Sequence, residues 1–194
     1  MNQRSKRSGH ALPILIILIV SLAFGGVFEL ICLGAERISH PREFDHLVCT
    51  RATEFGVPES VVYAMIKVES NFDSTKQGER AKIGLMQLTP AQYLALAAQA
   101  HDPGVNTAAL YDPDTNVRYG TMYLSQLYQK YGMWSTVYAA WYAGEDTVDA
   151  WLKNPDYVDP DFGTLVTIPD KQVAKAVKKA VKAQEIYEKL YYAK

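Results

Sequence analysis

Cysteine and histidine are scarce in this chain of 194 residues. It contains two cysteines, Cys32 and Cys49, and four histidines. Two cysteines cannot form the framework of disulfides that holds small secreted domains together, and these two do not have the spacing of a zinc site. The histidines form no His-x-x-x-His pair and no cluster with cysteine. We therefore expect no metal and no cofactor.

An excess of charge of either sign is also missing. The formal net charge is −1, and no run combines dense Lys and Arg with interleaved aromatic residues. We therefore do not expect nucleic acid as a partner, because neutralising its phosphates requires a basic surface. Hydrophobic residues make up 48% of the chain and charged residues 21%, which predicts a packed core rather than general disorder.

Sustained period-two alternation, the pattern of half-buried strands, is absent as well. From Glu43 onward, apolar residues recur at three- and four-residue spacing, which predicts an all-α domain over residues 43–194. The predicted helices cover approximately residues 44–55, 58–70, 90–100, 112–131, 134–143, 147–152 and 170–192. The polar segment 73–84 is predicted to be a loop.

A long uncharged stretch near the N-terminus differs from the rest of the chain. Residues 11–28 carry no charge, and the apolar character extends past Glu29 to Ala35. This length approaches the ~20 residues that a helix needs to span a bilayer. Residues 1–10 are basic, which favours a cytoplasmic location for them. We predict a cytoplasmic N-terminus over residues 1–10, a single N-terminal transmembrane helix over 11–35, a linker over 36–42, and an extracytoplasmic domain.

A cleaved secretory signal peptide is the alternative interpretation of residues 11–35. The apolar cores of signal peptides are only about 7–15 residues long. No clear Ala-x-Ala cleavage site follows this segment, so a retained anchor is favoured. Both interpretations export the helical domain, and the anchored form makes the cell membrane a partner of the chain.

One acidic residue interrupts an apolar helix face. In the segment VVYAMIKVESNF (residues 61–72), Glu69 falls on the same face as Val62, Met65 and Ile66. Such a carboxyl group either reaches water at the end of the helix or lies in a dry pocket. The second environment would raise its pKa and make it a proton donor near neutral pH.

Three segments together carry a more specific signal. They are ESNF at residues 69–72, GLMQ at residues 84–87 and DPDTNVRYGTMYL at residues 112–124. In this order and spacing they resemble the soluble-lytic-transglycosylase (SLT) domain, a relative of goose-type lysozyme. That family has Glu-Ser-x-Phe, then Gly-Leu-Met-Gln, then D-P-x-x-N-x-x-x-G-x-x-Y-L. The resemblance covers about residues 41–192, and three ordered motifs are far more specific than one.

The resemblance implies a lysozyme-like helical fold and cleavage of the β-1,4 bond between MurNAc and GlcNAc in peptidoglycan glycan strands, without water. Glu69 takes the position of the family's catalytic acid. It would protonate the glycosidic oxygen and then, as a carboxylate, deprotonate the C6 hydroxyl of the same muramic acid to give a 1,6-anhydro ring. Two-carboxylate glycosidases need a partner acid about 5–10 Å away. The sequence offers no convincing partner, since Asp73, Glu79 and Glu145 lie in loop-like segments and are expected to be solvated.

The same resemblance identifies substrate-binding candidates. Those within the matching motifs are Ser70, Met86, Gln87 and Tyr119. Two later segments depart from the family: AWYAG at residues 140–144 replaces Ala-Tyr-Asn-Ala-Gly, and Gln172 and Ala176 replace a Glu and a Tyr of the last helix. Trp141, Tyr142 and Gln172 remain candidates, although an aromatic residue at helical spacing is more often part of the core than a stacking surface for sugars.

Two alternative functions stay open. One is a lysozyme-like muramidase in the same fold, which would leave reducing ends. The other is a catalytically impaired module that binds peptidoglycan or scaffolds a cell-envelope complex, and the departures at Tyr142, Gln172 and Ala176 favour it. The retention of Glu69 together with Gln87 favours an enzyme, because a module that only binds has little use for a dry acid.

Overall fold

The structure is a computed structural model that describes residues 11–103, 105–161 and 163–193. It consists of two compact units: the first ends at Pro41, and the second begins at Arg42. The α-helices are α1 (Ala11–Ser39), α2 (Asp45–Phe55), α3 (Glu59–Glu69), α4 (Pro90–Gln99), α5 (Pro113–Tyr131), α6 (Trp134–Ala143), α7 (Glu145–Trp151) and α8 (Lys171–Tyr187). Shorter 3-10 segments lie at Glu79–Ala81, Thr107–Tyr111 and Pro155–Tyr157, and a π-helical turn lies at Glu188–Tyr192. Over these ranges the backbone forms only isolated antiparallel bridges and no longer strand, which confirms the all-α prediction.

The first unit contains α1. This helix continues to Ser39 and therefore includes the first part of the segment that we predicted to be a linker. At its end the Ser39 hydroxyl donates to the Glu36 carbonyl at 3.0 Å. Within the described residues, no helix combines the length and the apolar character that crossing a membrane requires. The predicted cytoplasmic segment, residues 1–10, lies outside the described residues.

Helix α3 lies in the middle of the second unit. Every residue from Ser60 to Ile66 is buried, which is typical of a helix that has neighbours on all sides. It packs against α8, which also packs against α6. The rings of Tyr63 in α3 and Tyr187 in α8 stack with centroids 5.2 Å apart. Glu69, the last residue of α3, is thus held by a rigid element of the core.

Local signals set most helix boundaries. Thr89 and Gln92 form a reciprocal capping box at the start of α4. Asp112 accepts a hydrogen bond from the Thr115 backbone N–H at 2.8 Å, and Pro113 occupies the first position of α5. The left-handed Gly132 ends that helix. Prediction and structure therefore agree closely over α4, α5 and α6.

Two boundaries differ from the prediction. Helix α7 begins at Glu145 rather than near residue 147, because Glu145 and Asp146 are acidic residues in its first turn, where they favour a helix N-terminus. The last helix changes to a π-helical turn at Glu188 instead of continuing to Tyr192. The 3-10 segment Thr107–Tyr111 was not predicted, since a single turn of this kind has little periodicity to detect.

Candidate active site

A cleft of about 600 Å³ lies at the C-terminal end of α3, and we call it the Glu69 cleft. Its volume is within the range of about 300–1,000 Å³ that is usual for ligand pockets. Residues of α3, α4, α5 and α6 and of the loop between α3 and α4 surround it. They are Glu69, Lys76, Gly78, Glu79, Arg80, Lys82, Gln87, Thr89, Gln92, Tyr123, Ala140, Trp141, Tyr142, Ala143 and Gly144.

The Glu69 carboxyl group is dry. Its side chain is only 7% exposed, and the nearest cation, Lys82, places Nζ 3.7 Å from Oε2. Among the described residues, the Lys82 ammonium and the Tyr142 hydroxyl lie near this carboxyl group, but neither forms a well-aligned hydrogen bond with it. Burial raises the pKa of Glu69 above its usual value, while Lys82, the Tyr142 hydroxyl and Lys76 act in the opposite direction without cancelling it. Glu69 therefore has the environment expected of a proton donor near neutral pH.

Tyr142 faces Glu69 across the cleft. Its hydroxyl is buried and has no hydrogen-bond partner in the part of the chain that the structure describes. Burial and the nearby Glu69 carboxylate both raise the pKa of Tyr142, so it stays a neutral phenol. The adjacent Trp141 also lines the cleft but is only 5% exposed, and its ring lies 5.3 Å from that of Tyr123. Trp141 is thus mainly a core residue, whereas Tyr142 presents a polar atom close to the carboxyl group.

The loop between α3 and α4 contributes three basic residues that the sequence did not reveal as site residues: Lys76, Arg80 and Lys82. The Lys76 ammonium donates to the backbone carbonyl of Glu69. The loop is held by backbone hydrogen bonds, including Gly78 N–H to the Lys82 carbonyl at 2.8 Å. No motif identified these residues, since polar side chains in a loop are usually solvated.

Gln87 connects this loop to the GLMQ motif. It is 3% exposed and has a left-handed backbone with φ of 52°. Its amide nitrogen donates to the carbonyls of Lys76 at 3.0 Å and Gly84 at 2.9 Å. A Cβ atom added at Gly78 would collide with its Oε1. Gln87 lines the cleft, and its amide nitrogen also fixes the loop that carries the basic residues.

Asn116 fixes the other side of the GLMQ segment. It is completely buried in α5, and its Nδ2 donates to the carbonyls of Ile83 and Leu110, both at 2.8 Å. Its Oδ1 accepts a hydrogen bond from the Met86 backbone N–H at 2.7 Å. Gly84 allows this close approach, because it has φ of 80° and any Cβ atom there would collide with the Asn116 side chain. We call these contacts the Asn116 clamp.

Two further motif residues support the site from behind. Met86 is fully buried, and its sulfur packs so closely on Gly120 of α5 that a Cβ atom there would collide with it. The Ser70 hydroxyl donates to the Ile66 carbonyl at 3.0 Å, within its own helix. Neither residue belongs to the lining of the Glu69 cleft. Both stabilise the elements that carry Glu69 and Gln87.

Besides Ser70 and Met86, two more predicted site residues do not line the cleft. Tyr119 is 1% exposed, donates to Asp102 at 2.5 Å, and packs edge-on against Tyr93. Gln172 is exposed in the first turn of α8, where its backbone N–H donates to the capping Asp170 at 2.7 Å. Neither side chain lines the Glu69 cleft. Helical spacing and motif position alone did not distinguish these residues from those that face the cleft.

The sequence of this chain matches a known protein family. The family model described as Transglycosylase SLT domain matches residues 47–160, which is more than half of the chain. This chain belongs to that family. The resemblance that the three motifs indicated is therefore confirmed, and the match includes the Asn116 clamp and all the residues that line the Glu69 cleft.

The SLT domain of this chain is similar to parts of longer curated proteins. The soluble lytic murein transglycosylase of Escherichia coli (strain K12) is 32% identical over 102 residues, which cover 50% of this chain and 16% of that protein. The membrane-bound lytic murein transglycosylase C of Actinobacillus pleuropneumoniae serotype 5b (strain L20) is 30% identical over 167 residues, which cover 75% of this chain and 46% of that protein. The chain thus spans less than half the length of either relative.

A solved structure supports the same fold. It is that of an inactive glutamate-to-glutamine mutant of lytic transglycosylase Slt from Pseudomonas aeruginosa, with a TM-score of 0.71 and 28% sequence identity. The match covers 79% of this chain and 25% of that chain. The helical SLT fold predicted for this chain is thereby confirmed, while the roles of individual site residues stay predictions.

Proposed function

We propose that this SLT domain is a lytic transglycosylase that cleaves the β-1,4 bond between MurNAc and GlcNAc in peptidoglycan glycan strands. The observation that carries the proposal is Glu69: a buried carboxyl group with a raised pKa that opens onto a cleft. The names of the relatives, all lytic transglycosylases, support the same reaction class.

The proposed reaction uses Glu69 twice. Protonated Glu69 donates its proton to the glycosidic oxygen while the bond from that oxygen to C1 of MurNAc breaks, and C1 acquires oxocarbenium-like character. The GlcNAc side leaves with a free C4 hydroxyl. The C6 hydroxyl oxygen of MurNAc then bonds to C1, while the Glu69 carboxylate accepts the proton that this hydroxyl loses. The 1,6-anhydro ring closes, Glu69 recovers its proton, and no water is consumed.

A muramidase is the second candidate, and one observation favours it. Glu79 is the only acid besides Glu69 among the described residues that line the cleft, and a hydrolase needs such a partner to activate water or to act as the nucleophile. Glu79 is exposed on the loop, however. An exposed carboxylate is poorly held in one position. A lyase needs no partner acid, so we favour the lyase.

The decisive experiment compares the same substitution at both acids. Purified full-length chain is incubated with purified sacculi, and the products are identified by mass spectrometry. We expect anhydromuropeptides from the wild type and from Glu79→Gln, and none from Glu69→Gln. The glutamine variants keep side-chain size and remove only the acid, and thermal unfolding checks that each is folded.

Two other outcomes would contradict this proposal. Products with reducing ends that disappear in Glu79→Gln would identify a muramidase with two carboxylates. A folded wild type that binds sacculi but releases nothing would identify a binding or scaffolding module of a cell-envelope complex. The inactive state of the glutamate-to-glutamine mutant of the Pseudomonas protein supports the expected loss in Glu69→Gln.

We propose further that residues 11–35 anchor the chain in the cell membrane with the SLT domain on the extracytoplasmic side. The uncharged segment behind a basic N-terminus supports this, as does the relative named membrane-bound. Cys49 is exposed and serves as a probe in a Cys32→Ser background. A membrane-impermeant maleimide should label membrane-bound protein in intact protoplasts. Labelling only after lysis, or recovery of the chain in the soluble fraction, would contradict the proposal.

A further inference from the structure

We propose that Lys82 is a positioning residue that stabilises the carboxylate form of Glu69, so that one acid can release its proton and then take another. The catalytic consequence rests on the proposed function. The pairing of the two charges does not, because it follows from the fold of the α3–α4 loop. Neither the family motifs nor the sequence pattern assigns a role to Lys82.

The geometry brings the two charges together without locking them. Lys82 Nζ lies 3.7 Å from Glu69 Oε2, with side chains 28% and 7% exposed. This distance exceeds the usual limit of about 3.2 Å for a hydrogen bond, so the interaction is mainly Coulombic. The ammonium also lies 5.9 Å from the ring centroid of Tyr142, within reach of a cation–π attraction. Lys82 is thus placed between the acid and an aromatic face.

The loop holds the Lys82 backbone in place. The Lys82 carbonyl accepts a hydrogen bond from the Gly78 N–H at 2.8 Å. The next residue, Ile83, donates to the Leu88 carbonyl at 2.9 Å and accepts from Asn116 at 2.8 Å. The Asn116 clamp therefore lies only one residue away from Lys82. A lysine whose backbone is fixed on both sides is a better electrostatic partner than one on an unsupported loop.

Two other groups face Glu69. Lys76, from the same loop, donates to the backbone carbonyl of Glu69 rather than to its carboxyl group. Tyr142, from α6, contributes a neutral hydroxyl. Both favour the charged form of Glu69, but Lys82 has the largest effect of the three, and burial opposes them all by raising the pKa. Glu79 and Arg80 line the cleft without a comparable influence.

Burial raises the pKa of Glu69 and Lys82 lowers it. These opposite effects suit a residue that must serve first as an acid and then as a base. Burial favours the protonated form of Glu69 before the bond breaks. Once the proton has been transferred, the same burial would leave an uncompensated carboxylate in a dry site, which is costly. Lys82 offsets that cost at the moment when the negative charge forms. A closer, bidentate partner would lower the pKa more strongly and would remove the proton too early.

The test measures the protonation of Glu69 directly. Full-length chain labelled with ¹³C at the glutamate carboxyl groups is titrated by NMR, and the Glu69 signal is assigned by its loss in Glu69→Gln. Lys82→Met keeps the side-chain length and removes the charge, and we expect its Glu69 midpoint to move up by about one pH unit. Lys82→Arg should stay near the wild type. Arg80→Met removes a cation from the same loop and cleft, and it should leave the midpoint unchanged.

The pH profile provides the second readout. Because Glu69 must start protonated, a higher midpoint keeps more of the variant active as the pH rises. The ratio of the Lys82→Met rate to the wild-type rate should therefore increase with pH along the alkaline limb. At the optimum, kcat should fall about tenfold, which corresponds to one pKa unit, with little change in KM.

Several results would overturn the inference. An unmoved Glu69 midpoint in Lys82→Met would do so, as would an equal shift in Arg80→Met. A raised KM with unchanged kcat and an unmoved pH profile would instead identify Lys82 as a substrate contact. The titration needs no turnover, so an inactive wild type would contradict the proposed lyase while the titration still decides the role of Lys82.

Discussion

Asn116 and Glu69 are both buried polar side chains within the family motifs, but their surroundings are opposite. Asn116 uses both amide hydrogens and its oxygen in hydrogen bonds of 2.7–2.8 Å. Glu69 has the Lys82 ammonium at 3.7 Å, and among the described residues neither this ammonium nor the Tyr142 hydroxyl forms a well-aligned hydrogen bond with it. Buried polar groups are normally satisfied, as Asn116 is. The departure of Glu69 from this rule is consistent with the role that we propose for it.

The comparison also separates two ways in which a motif residue can matter. Asn116 holds three backbone groups that would otherwise lack this partner, and two of them, at Ile83 and Met86, lie in the loop that also carries cleft residues. Glu69 contributes little to holding the fold, because its carboxyl group must be desolvated without receiving hydrogen bonds in return. We therefore expect substitutions at Asn116 to act on stability and substitutions at Glu69 to act on activity.

The largest expected effect on stability is that of Asn116→Ala. The substitution leaves the Met86 N–H and the carbonyls of Ile83 and Leu110 without their partner, and each such group costs about 1–3 kcal/mol. We expect the free energy of unfolding to fall by about 3 kcal/mol or more, measured by denaturant titration. Thr121→Val is the matched control, since Thr121 is buried in the same helix and its hydroxyl has no hydrogen-bond partner among the residues that the structure describes. Thr121→Val should leave the free energy of unfolding unchanged or raise it. An equal decrease in both variants would contradict the stabilising role of the Asn116 clamp.

A smaller loss is expected for Gly84→Ala. Gly84 combines φ of 80° with a position where a Cβ atom would lie 2.5 Å from the Leu110 carbonyl oxygen and would collide with Asn116. Gly132→Ala is the control, because Gly132 has φ of 68° but, in the described part of the chain, no atom within 4 Å of an added Cβ atom. We expect the free energy of unfolding to fall by about 1 kcal/mol in Gly132→Ala, from backbone strain alone. In Gly84→Ala we expect it to fall by about 2–3 kcal/mol. Equal losses would show that close approach to the clamp is unimportant.

The smallest effect on stability is expected for Glu69→Gln, and its sign depends on pH. The folded-state pKa of Glu69 is raised, so the folded chain holds this proton more tightly than the unfolded chain. The wild type therefore loses stability as the pH rises from the unfolded pKa, about 4.3, through the folded pKa. Glu69→Gln does not titrate and should become more stable than the wild type by about 1.4 kcal/mol for each unit of pKa difference.

This prediction is checked by denaturant unfolding of both proteins from acidic to neutral pH. The advantage of Glu69→Gln should grow with pH and then become constant above the folded pKa. Glu79→Gln is the control, because it removes a carboxyl group from an exposed residue of the same cleft and so separates the effect of the buried Glu69 site from that of losing one negative charge. A constant difference between Glu69→Gln and the wild type would show that Glu69 is ionised in the same pH range in both states.

Much of the fold and part of the site could be predicted from local patterns. The Asp112–Pro113 pair predicted the start of α5, since capping and a proline at the first helical position act within a few residues. Helical periodicity placed Glu69 on an apolar face but left two environments open, water at the helix end or a dry pocket, and the structure shows the second. Gly84 and Gly120 stood in motif positions without an evident reason. The structure supplies that reason as close contacts with Asn116 and Met86.

The roles of Lys82, Gln87 and Tyr119 were not predictable in this way. Lys82 lies thirteen positions after Glu69 in a polar loop, and no periodic rule connects such a position with a helix end. Tyr119 lies in the same segment as Asn116, at a position that the family pattern leaves open, and its hydroxyl bonds Asp102 instead of lining the cleft. Gln87 was expected to contact substrate, but its amide nitrogen already donates hydrogen bonds to two loop carbonyls.

The sequence by itself determined an all-α SLT domain, its helix boundaries within a few residues, and one acid at the end of an apolar helix. These follow from periodicity, capping and ordered motifs, all of which act over short distances along the chain. Only the tertiary structure decided what surrounds that acid. Burial from several helices raises its pKa, and a loop cation 3.7 Å away limits the rise. Both effects depend on distances between segments that are far apart in sequence, and electrostatic energy depends on those distances.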